Sequence, residues 1–371
     1  MTNKELSDAS NYPIPKKYVA NSKEYIAPLE NRRDYLRLDF NENTLGPSKK
    51  VLEYLNQISL KEIAIYPEYK GLKELLLKNL KLKNVEESEI GIFNGVDAAI
   101  SAIFNAYGGE NDFFLTTDPT FGYYIPCAEM QGMKIIKLPY LGDNYEFPLK
   151  DFKDNIIKYQ PKIIFICNPN NPTGTLLSTD TIIQISEINK DSLLVIDEVY
   201  ESFLGDSLLS KINFKKRNNI ILLQSLSKKA GLAGLRIGFA FGNYKLVKNL
   251  SKVTGPYDVN SFAVKAAFAA LEDQKYIDDY VKEVLKAREW IKNKFEEKKI
   301  ISHFGSGNYF LVWSNIKADI LENKLKEEGI LIRNMSKKKY IEGAIRVSIG
   351  TLDQMKYFWE KYLEIEFGSS D

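Results

Sequence analysis

Three uninterrupted apolar runs sit in the middle of the chain, each followed by polar, turn-forming sequence. They are Lys162 to Cys167 (apolar from Ile163), Leu193-Leu194-Val195-Ile196 and Ile220-Ile221-Leu222-Leu223. A strand with one wet face alternates apolar and polar residues, whereas a short continuous run is covered on both faces. Thr179 to Lys190, between the first two runs, has the spacing of a helix. Strand–helix–strand alternation of this kind predicts a parallel sheet with helices on both sides. Such sheets bind ligands at the carboxyl ends of their strands. Asn171, Asp197 and Lys228 each follow one run closely, so three chemically capable side chains are expected on one rim.

Upstream, Asn94-Gly95-Val96-Asp97-Ala98-Ala99-Ile100 reads as a turn that opens a helix. Its first backbone N–H groups favour an anion. Taken alone, the same residues are an ordinary Asn-Gly turn with Asp97 as a helix cap. Gly255-Pro256 marks a break, after which Asn260 to Lys298 suits one or two amphipathic helices. From Gly305 the pattern returns to strands: Tyr309 to Trp313, Ile330 to Arg333 and Ala344 to Ile349, with a helix around Ala318–Glu328. The expected division is an N-terminal segment, 1–45, packed with the small domain; a large domain, 46–255; and a smaller α/β domain, 256–371. No internal repeat interrupts this order.

Charge excludes some partners. Lys plus Arg number 51 against 49 Asp plus Glu, a net +2, so nothing points to a nucleic-acid or membrane partner. The run Lys337-Lys338-Lys339 reads as solvated surface. The start of the sequence has no apolar signal core, and no apolar stretch approaches the ~20 residues that span a bilayer. Cys127 and Cys167 lie far apart in apolar settings, as expected of buried free thiols in a reducing compartment. A soluble, cytoplasmic protein is the expectation. The single histidine, His303, rules out a two-His metal motif, no metal site is expected, and the residue reads as a surface or turn position.

The segment Ser225-Leu226-Ser227-Lys228, with Arg236 eight residues beyond the lysine, combines an amine, two hydroxyls and a guanidinium. A cofactor that carries both an aldehyde and a phosphate needs that set: the lysine bonds the aldehyde, and the others hold the phosphate. Asp197-Glu198-Val199-Tyr200 and Asn168-Pro169-Asn170-Asn171-Pro172-Thr173-Gly174 strengthen the signal. Asp197 ends an apolar strand, where a carboxylate is costly unless paired.

In these motifs, and in their order from Leu38-Asp39-Phe40-Asn41-Glu42-Asn43 to Arg346-Val347-Ser348-Ile349-Gly350-Thr351, the chain resembles the fold-type I pyridoxal phosphate (PLP) enzymes of the class I/II aminotransferase group. It is most similar to their histidinol-phosphate aminotransferase branch. The resemblance implies a large domain built on a mostly parallel seven-stranded sheet, plus a smaller α/β C-terminal domain. It implies that Lys228 bonds PLP and then carries a proton between substrate and cofactor. Asp197 would pair with the pyridine nitrogen, Asn171 and Tyr200 would bind the phenolic oxygen, and Phe121 would stack on the ring. Ser225, Ser227, Arg236 and the backbone N–H groups of Val96 and Asp97 would take the phosphate. Tyr66 would reach the cofactor phosphate of a neighbouring subunit, making a homodimer with shared active sites. Arg346 would grip the acidic group of the substrate, and Arg333 would help bind a substrate phosphate.

The implied reaction is transamination between an amino donor and a 2-oxo acid, with histidinol phosphate and 2-oxoglutarate as the leading pair. There are departures from the branch: Ala98 stands where a glutamate is usual, Lys229 where a small residue is common, and the stretch through Glu30-Asn31-Arg32-Arg33 differs. Another phosphorylated or aromatic amine therefore stays open as donor. So does a decarboxylase of a phosphorylated amino acid, like threonine-phosphate decarboxylase, because which Cα bond breaks depends on pocket geometry. A regulatory PLP-fold module is disfavoured, since no helix-turn-helix or basic arm is present.

Overall fold

The computed structural model describes residues 13–24 and 30–368. Its strands are β1 (Leu36–Arg37), β2 (Ile90–Phe93), β3 (Phe113–Asp118), β4 (Lys134–Pro139), β5 (Ile163–Cys167), β6 (Leu193–Asp197), β7 (Ile220–Ser225), β8 (Gly238–Gly242), β9 (Ser302–His303), β10 (Tyr309–Val312), β11 (Ile330–Leu331), β12 (Arg333–Asn334) and β13 (Ile345–Ser348). Seven of them form one sheet in the order β2-β8-β7-β6-β5-β3-β4. All its pairings are parallel except those of β8, which runs against β2 and β7.

The three apolar runs are the centre of this sheet. Every residue of β5, β6 and β7 is buried. Successive side chains of a strand point to opposite faces. Ile164, Ile166, Leu194, Ile196 and Leu222 accordingly enter one core with helices Lys49–Asn56, Leu72–Asn79 and Ser261–Glu272. Ile163, Phe165, Val195, Ile221 and Leu223 enter another, with helices Gly95–Tyr107 and Tyr124–Glu129. Each such side chain contributes about 1.5–3 kcal/mol on burial, so the strands tolerate a charge only where they end.

A second lobe packs helices Gln274–Glu297, Ala318–Glu327 and Leu352–Phe367 on the sheet β12-β13-β10-β9. β1 pairs in parallel with β11, and Leu38 is buried in this core. That part of the N-terminal segment packs with the small lobe; residues 1–12 and 25–29 lie outside the described residues.

Three details differ from the sequence reading. Ser261–Glu272, assigned with the small domain from the break at Gly255-Pro256, packs instead on the large lobe's helices Lys49–Asn56 and Leu72–Asn79. Its buried face is alanine-rich (Ala263, Ala266, Ala267, Ala269, Ala270), which lets helices approach closely from both sides. Ile330–Arg333, expected as one strand, serves two sheets: Ile330-Leu331 pairs with β1, and Arg333-Asn334 with β13. His303 is not a surface residue. It is half-buried on β9, its Nε2 lies 2.8 Å from the Thr173 carbonyl oxygen, and its ring meets Tyr145 edge-on. Cys127 and Cys167 are buried and unbonded to one another. No described helix is long and apolar enough to cross a membrane.

Candidate active site

A cavity of about 1000 Å³ opens at the carboxyl ends of β5, β6 and β7, and residues 333–338 and Arg346 of the small lobe form its far wall. Asn171, Asp197, Tyr200, Ser225, Ser227, Lys228, Arg236, Val96, Asp97, Phe121, Arg333 and Arg346 all line it. Tyr66 does not. It is 68% exposed and stacks on Tyr257 with ring centroids 3.9 Å apart.

At one end of the cavity, helix Gly95–Tyr107 begins beside the β7–β8 connection. The Ser225 hydroxyl accepts from the Ser227 N–H at 3.0 Å. Arg236 Nη2 donates to Asp97 Oδ2 at 2.7 Å. Two glycines keep this corner open. A Cβ on Gly95, whose φ is +79°, would stand 2.5 Å from Arg236 Nη2, and one on Gly238 would stand 2.7 Å from the Val96 nitrogen. Backbone amides, hydroxyls and a guanidinium around a space that only glycines leave free suit a phosphate dianion.

Asp197 forms the floor and is 4% exposed. Burial raises its pKa to about 6, although the Tyr124 hydroxyl (2.6 Å) and the Val199 N–H (3.2 Å) oppose the shift by donating to it. A buried carboxylate with two neutral donors is suited to one further, cationic partner such as a protonated ring nitrogen. The Tyr200 hydroxyl receives Nδ2 donors from Asn41 at 3.1 Å and from Asn171 at 3.4 Å. Burial pushes the Tyr200 pKa up, so the phenol stays protonated and is itself available as a donor.

The Lys228 amine donates to the Phe40 carbonyl oxygen at 2.8 Å. Burial, then the Arg346 charge, lowers its pKa to about 8. It can therefore lose its proton near neutrality, which a nucleophilic or basic amine must do. Lys229, which stands where the branch commonly has a small residue, is half-buried and paired with Glu201 at 2.9 Å. Facing them, Arg346 donates to Asn171 Oδ1 at 2.6 Å and to the Asp39 carbonyl oxygen at 2.5 Å. Arg333 is its cross-strand partner, and its guanidinium lies 5.5 Å from the Phe40 ring centre. The other arginine near that ring, Arg32, sits 4.2 Å from its centre and holds Asp39 and Glu42.

Sequence reasoning missed Tyr124, Asn41 and Lys338 as members of the site. Asn41 stood inside the Asn-Glu-Asn motif, which was its only signal. Tyr124 follows the Asp118–Gly122 turn and carries no local signal. Lys338 was hidden in the lysine run read as surface, yet it lines the cavity.

The model of the family described as aminotransferase class I and II matches residues 33–361. The chain belongs to that family. A histidinol-phosphate aminotransferase of Brachyspira hyodysenteriae is 32% identical over 348 residues, covering 92% of this chain and 96% of that protein. The histidinol-phosphate aminotransferase of Sinorhizobium meliloti, solved in complex with pyridoxal-5'-phosphate, superposes with a TM-score of 0.83 at 20% identity, covering 96% of this chain and 99% of that one. The L-threonine-O-3-phosphate decarboxylase of Porphyromonas gingivalis superposes with a TM-score of 0.74 at 24% identity, covering 89% and 99%. This aminotransferase depends on PLP, and its substrates are an amino donor and a 2-oxo acid. The open phosphate corner and the buried Asp197 are what that cofactor requires.

Proposed function

We propose that this aminotransferase moves the amino group of L-histidinol phosphate to 2-oxoglutarate. The observation that carries the donor is the cross-strand pair Arg333 and Arg346, which both line the cavity. Directly opposed residues of antiparallel strands present their side chains on one face, and like charges there repel. An anionic substrate group between them offsets that cost. Similarity to named histidinol-phosphate aminotransferases supports the same donor.

In this reading Lys228 would bond the cofactor, Asp197 would pair with its ring nitrogen, Asn171 and Tyr200 would bind its phenolic oxygen, and Phe121 would cover its ring. Ser225, Ser227, Arg236 and the N–H groups of Val96 and Asp97 would hold its phosphate. When bound, PLP supplies an electron sink for the bond broken at the substrate Cα. The chain then has to orient that bond and move a proton. Arg346 and Arg333 fix the substrate at its anionic end, and the Lys228 amine takes the proton from Cα. Its lowered pKa suits the task near neutral pH. Tyr66, outside its own cavity, serves the phosphate of a second subunit in a homodimer, and the enzyme works in the cytoplasm.

The decisive experiment is a panel of amino donors with 2-oxoglutarate as acceptor. L-histidinol phosphate should have the highest kcat/KM, with glutamate formed and no carbon dioxide. Stoichiometric carbon dioxide from O-phospho-L-threonine, without consumption of 2-oxoglutarate, would establish the decarboxylase instead.

A further inference from the structure

The far wall of the cavity carries a cation that the reading above leaves without a task. Lys338 follows β12 and is half-buried. Its ammonium donates to the Thr120 carbonyl oxygen at 2.5 Å, next to Phe121. An ammonium has three donor hydrogens, and this bond uses one. Among the described residues no carboxylate forms an ion pair with it. Asp118 is near enough to favour its charge but is itself paired with Lys137 at 3.6 Å.

The charges around the cavity do not balance. Lys228, Arg236, Arg333, Lys337, Lys338 and Arg346 line it, against Glu42, Asp97 and Asp197. Asp97 is taken up by Arg236 within the cavity, Glu42 by Arg32 outside it, and Asp197 accepts the Tyr124 hydroxyl, which leaves Arg333, Lys337, Lys338 and Arg346 of the far wall facing no lining acid of their own lobe. Beside Lys338 the acid that acts on it is Asp118, which is already engaged by Lys137. Burial, and then the two arginines among its neighbours, lower the Lys338 pKa to about 8. Enclosing a cation beside two others is costly unless an anion joins them. A phosphate monoester, with two charges and three acceptor oxygens, suits a guanidinium and a lysine point charge acting together.

We propose that Lys338 is a specificity-determining residue that binds, with Arg333, the phosphate monoester at the far end of the amino donor. The inference rests on the phosphorylated-donor reading and adds the group that enforces it. Lys338 stands on the small lobe and Thr120 on the large one, so the contact also ties the wall that carries the arginines to the turn that carries Phe121.

The test compares wild type, Lys338→Met and Lys338→Arg, each loaded with PLP, on L-histidinol phosphate and L-histidinol. Competition by inorganic phosphate against L-histidinol is measured in parallel. A charge-assisted contact corresponds to about tenfold or more in affinity. Lys338→Met should raise KM for the phosphorylated donor about tenfold more than KM for L-histidinol, and should weaken phosphate inhibition in step. Lys338→Arg should restore most of both. If Lys338→Met changes both donors equally, or leaves phosphate inhibition intact, the residue is only a strut between the lobes and the proposal falls. A wild type that does not distinguish the two donors overturns the donor reading, and this inference with it. A wild type that does distinguish them, beside an unaltered Lys338→Met, overturns the inference alone.

Discussion

Tyr124, buried at the start of its helix, donates its hydroxyl to Asp197 Oδ2 at 2.6 Å. The contact joins a side chain with no role legible in the sequence to the carboxylate on which the cofactor site rests. Removing the donor by Tyr124→Phe should raise the Asp197 pKa further, because that hydrogen bond holds it down. A hydrogen bond to a charged group is worth about 1.5–3 kcal/mol, or roughly one to two pKa units. PLP affinity in the variant should therefore fall more steeply than in wild type between about pH 7 and 5, followed by cofactor absorbance during dialysis. An identical pH dependence would mean that Tyr124 only fills space.

Asp197 also links stability to pH. Its folded pKa, about 6, lies above the 3.8 of a freely solvated aspartate. Between these values the folded apoprotein holds a proton that the unfolded chain has released. This contribution is therefore present at low pH and is lost as pH rises toward 6. A shift of about two units corresponds to on the order of 3 kcal/mol. Asp197→Asn should thus make the PLP-free protein more stable than wild type at pH 7, while transamination is lost. Glu198, pushed up to about 7 chiefly by burial, acts in the same direction, so the informative quantity is the difference between variant and wild type in urea unfolding at pH 5 and pH 7.5.

Much of this site was legible because the sheet centre announces itself. Ile163–Cys167, Leu193–Asp197 and Ile220–Ser225 are apolar on both faces, so their ends had to bear whatever chemistry the chain performs. What escaped was non-local. Asn41 reaches Tyr200 across 159 residues of sequence. Lys338 looks like its neighbours Lys337 and Lys339 until the turn after β12 points it inward. Ser261–Glu272 followed a Gly-Pro break, yet its alanines match the large lobe. Residues whose role comes from a partner far along the chain leave no period to read.

Lys228→Ala and Lys228→Arg should both be inactive, for different reasons. Alanine removes the amine. Arginine keeps the charge beside the Phe40 carbonyl but cannot release a proton near neutrality. Neither variant should show a PLP adduct at position 228 by mass spectrometry after borohydride reduction, whereas wild type should gain one. An adduct in wild type at Lys229 rather than Lys228 would overturn the assignment.

Arg333 and Arg346 can be separated by their surroundings. Arg346 is 6% exposed and holds Asn171 and the Asp39 carbonyl, so Arg346→Ala should disturb the site floor and lower kcat with every donor. Arg333 packs on Phe40. Arg333→Ala should mainly raise KM for the phosphorylated donor, by about tenfold or more, with L-histidinol little affected. Equal losses on both donors would remove the cross-strand pair as grounds for a phosphate-bearing substrate.

Tyr66 supplies the test of a shared site. It lies outside its own chain's cavity, 68% exposed and stacked on Tyr257, so a role at the cofactor needs a second copy of the chain. Lys228→Ala alone is inactive in this view, and Tyr66→Ala alone should lose PLP affinity at every site. Mixed dimers behave differently. In a hybrid of one Lys228→Ala subunit and one Tyr66→Ala subunit, one of the two sites combines Lys228 from the second subunit with Tyr66 from the first. That site is intact. Mixing the two inactive preparations under conditions that exchange subunits should therefore restore activity, up to about one quarter of wild type when exchange is random and each intact site works independently. If Tyr66 acted only within its own chain, every intact lysine would remain paired with a missing tyrosine, and mixing would restore nothing.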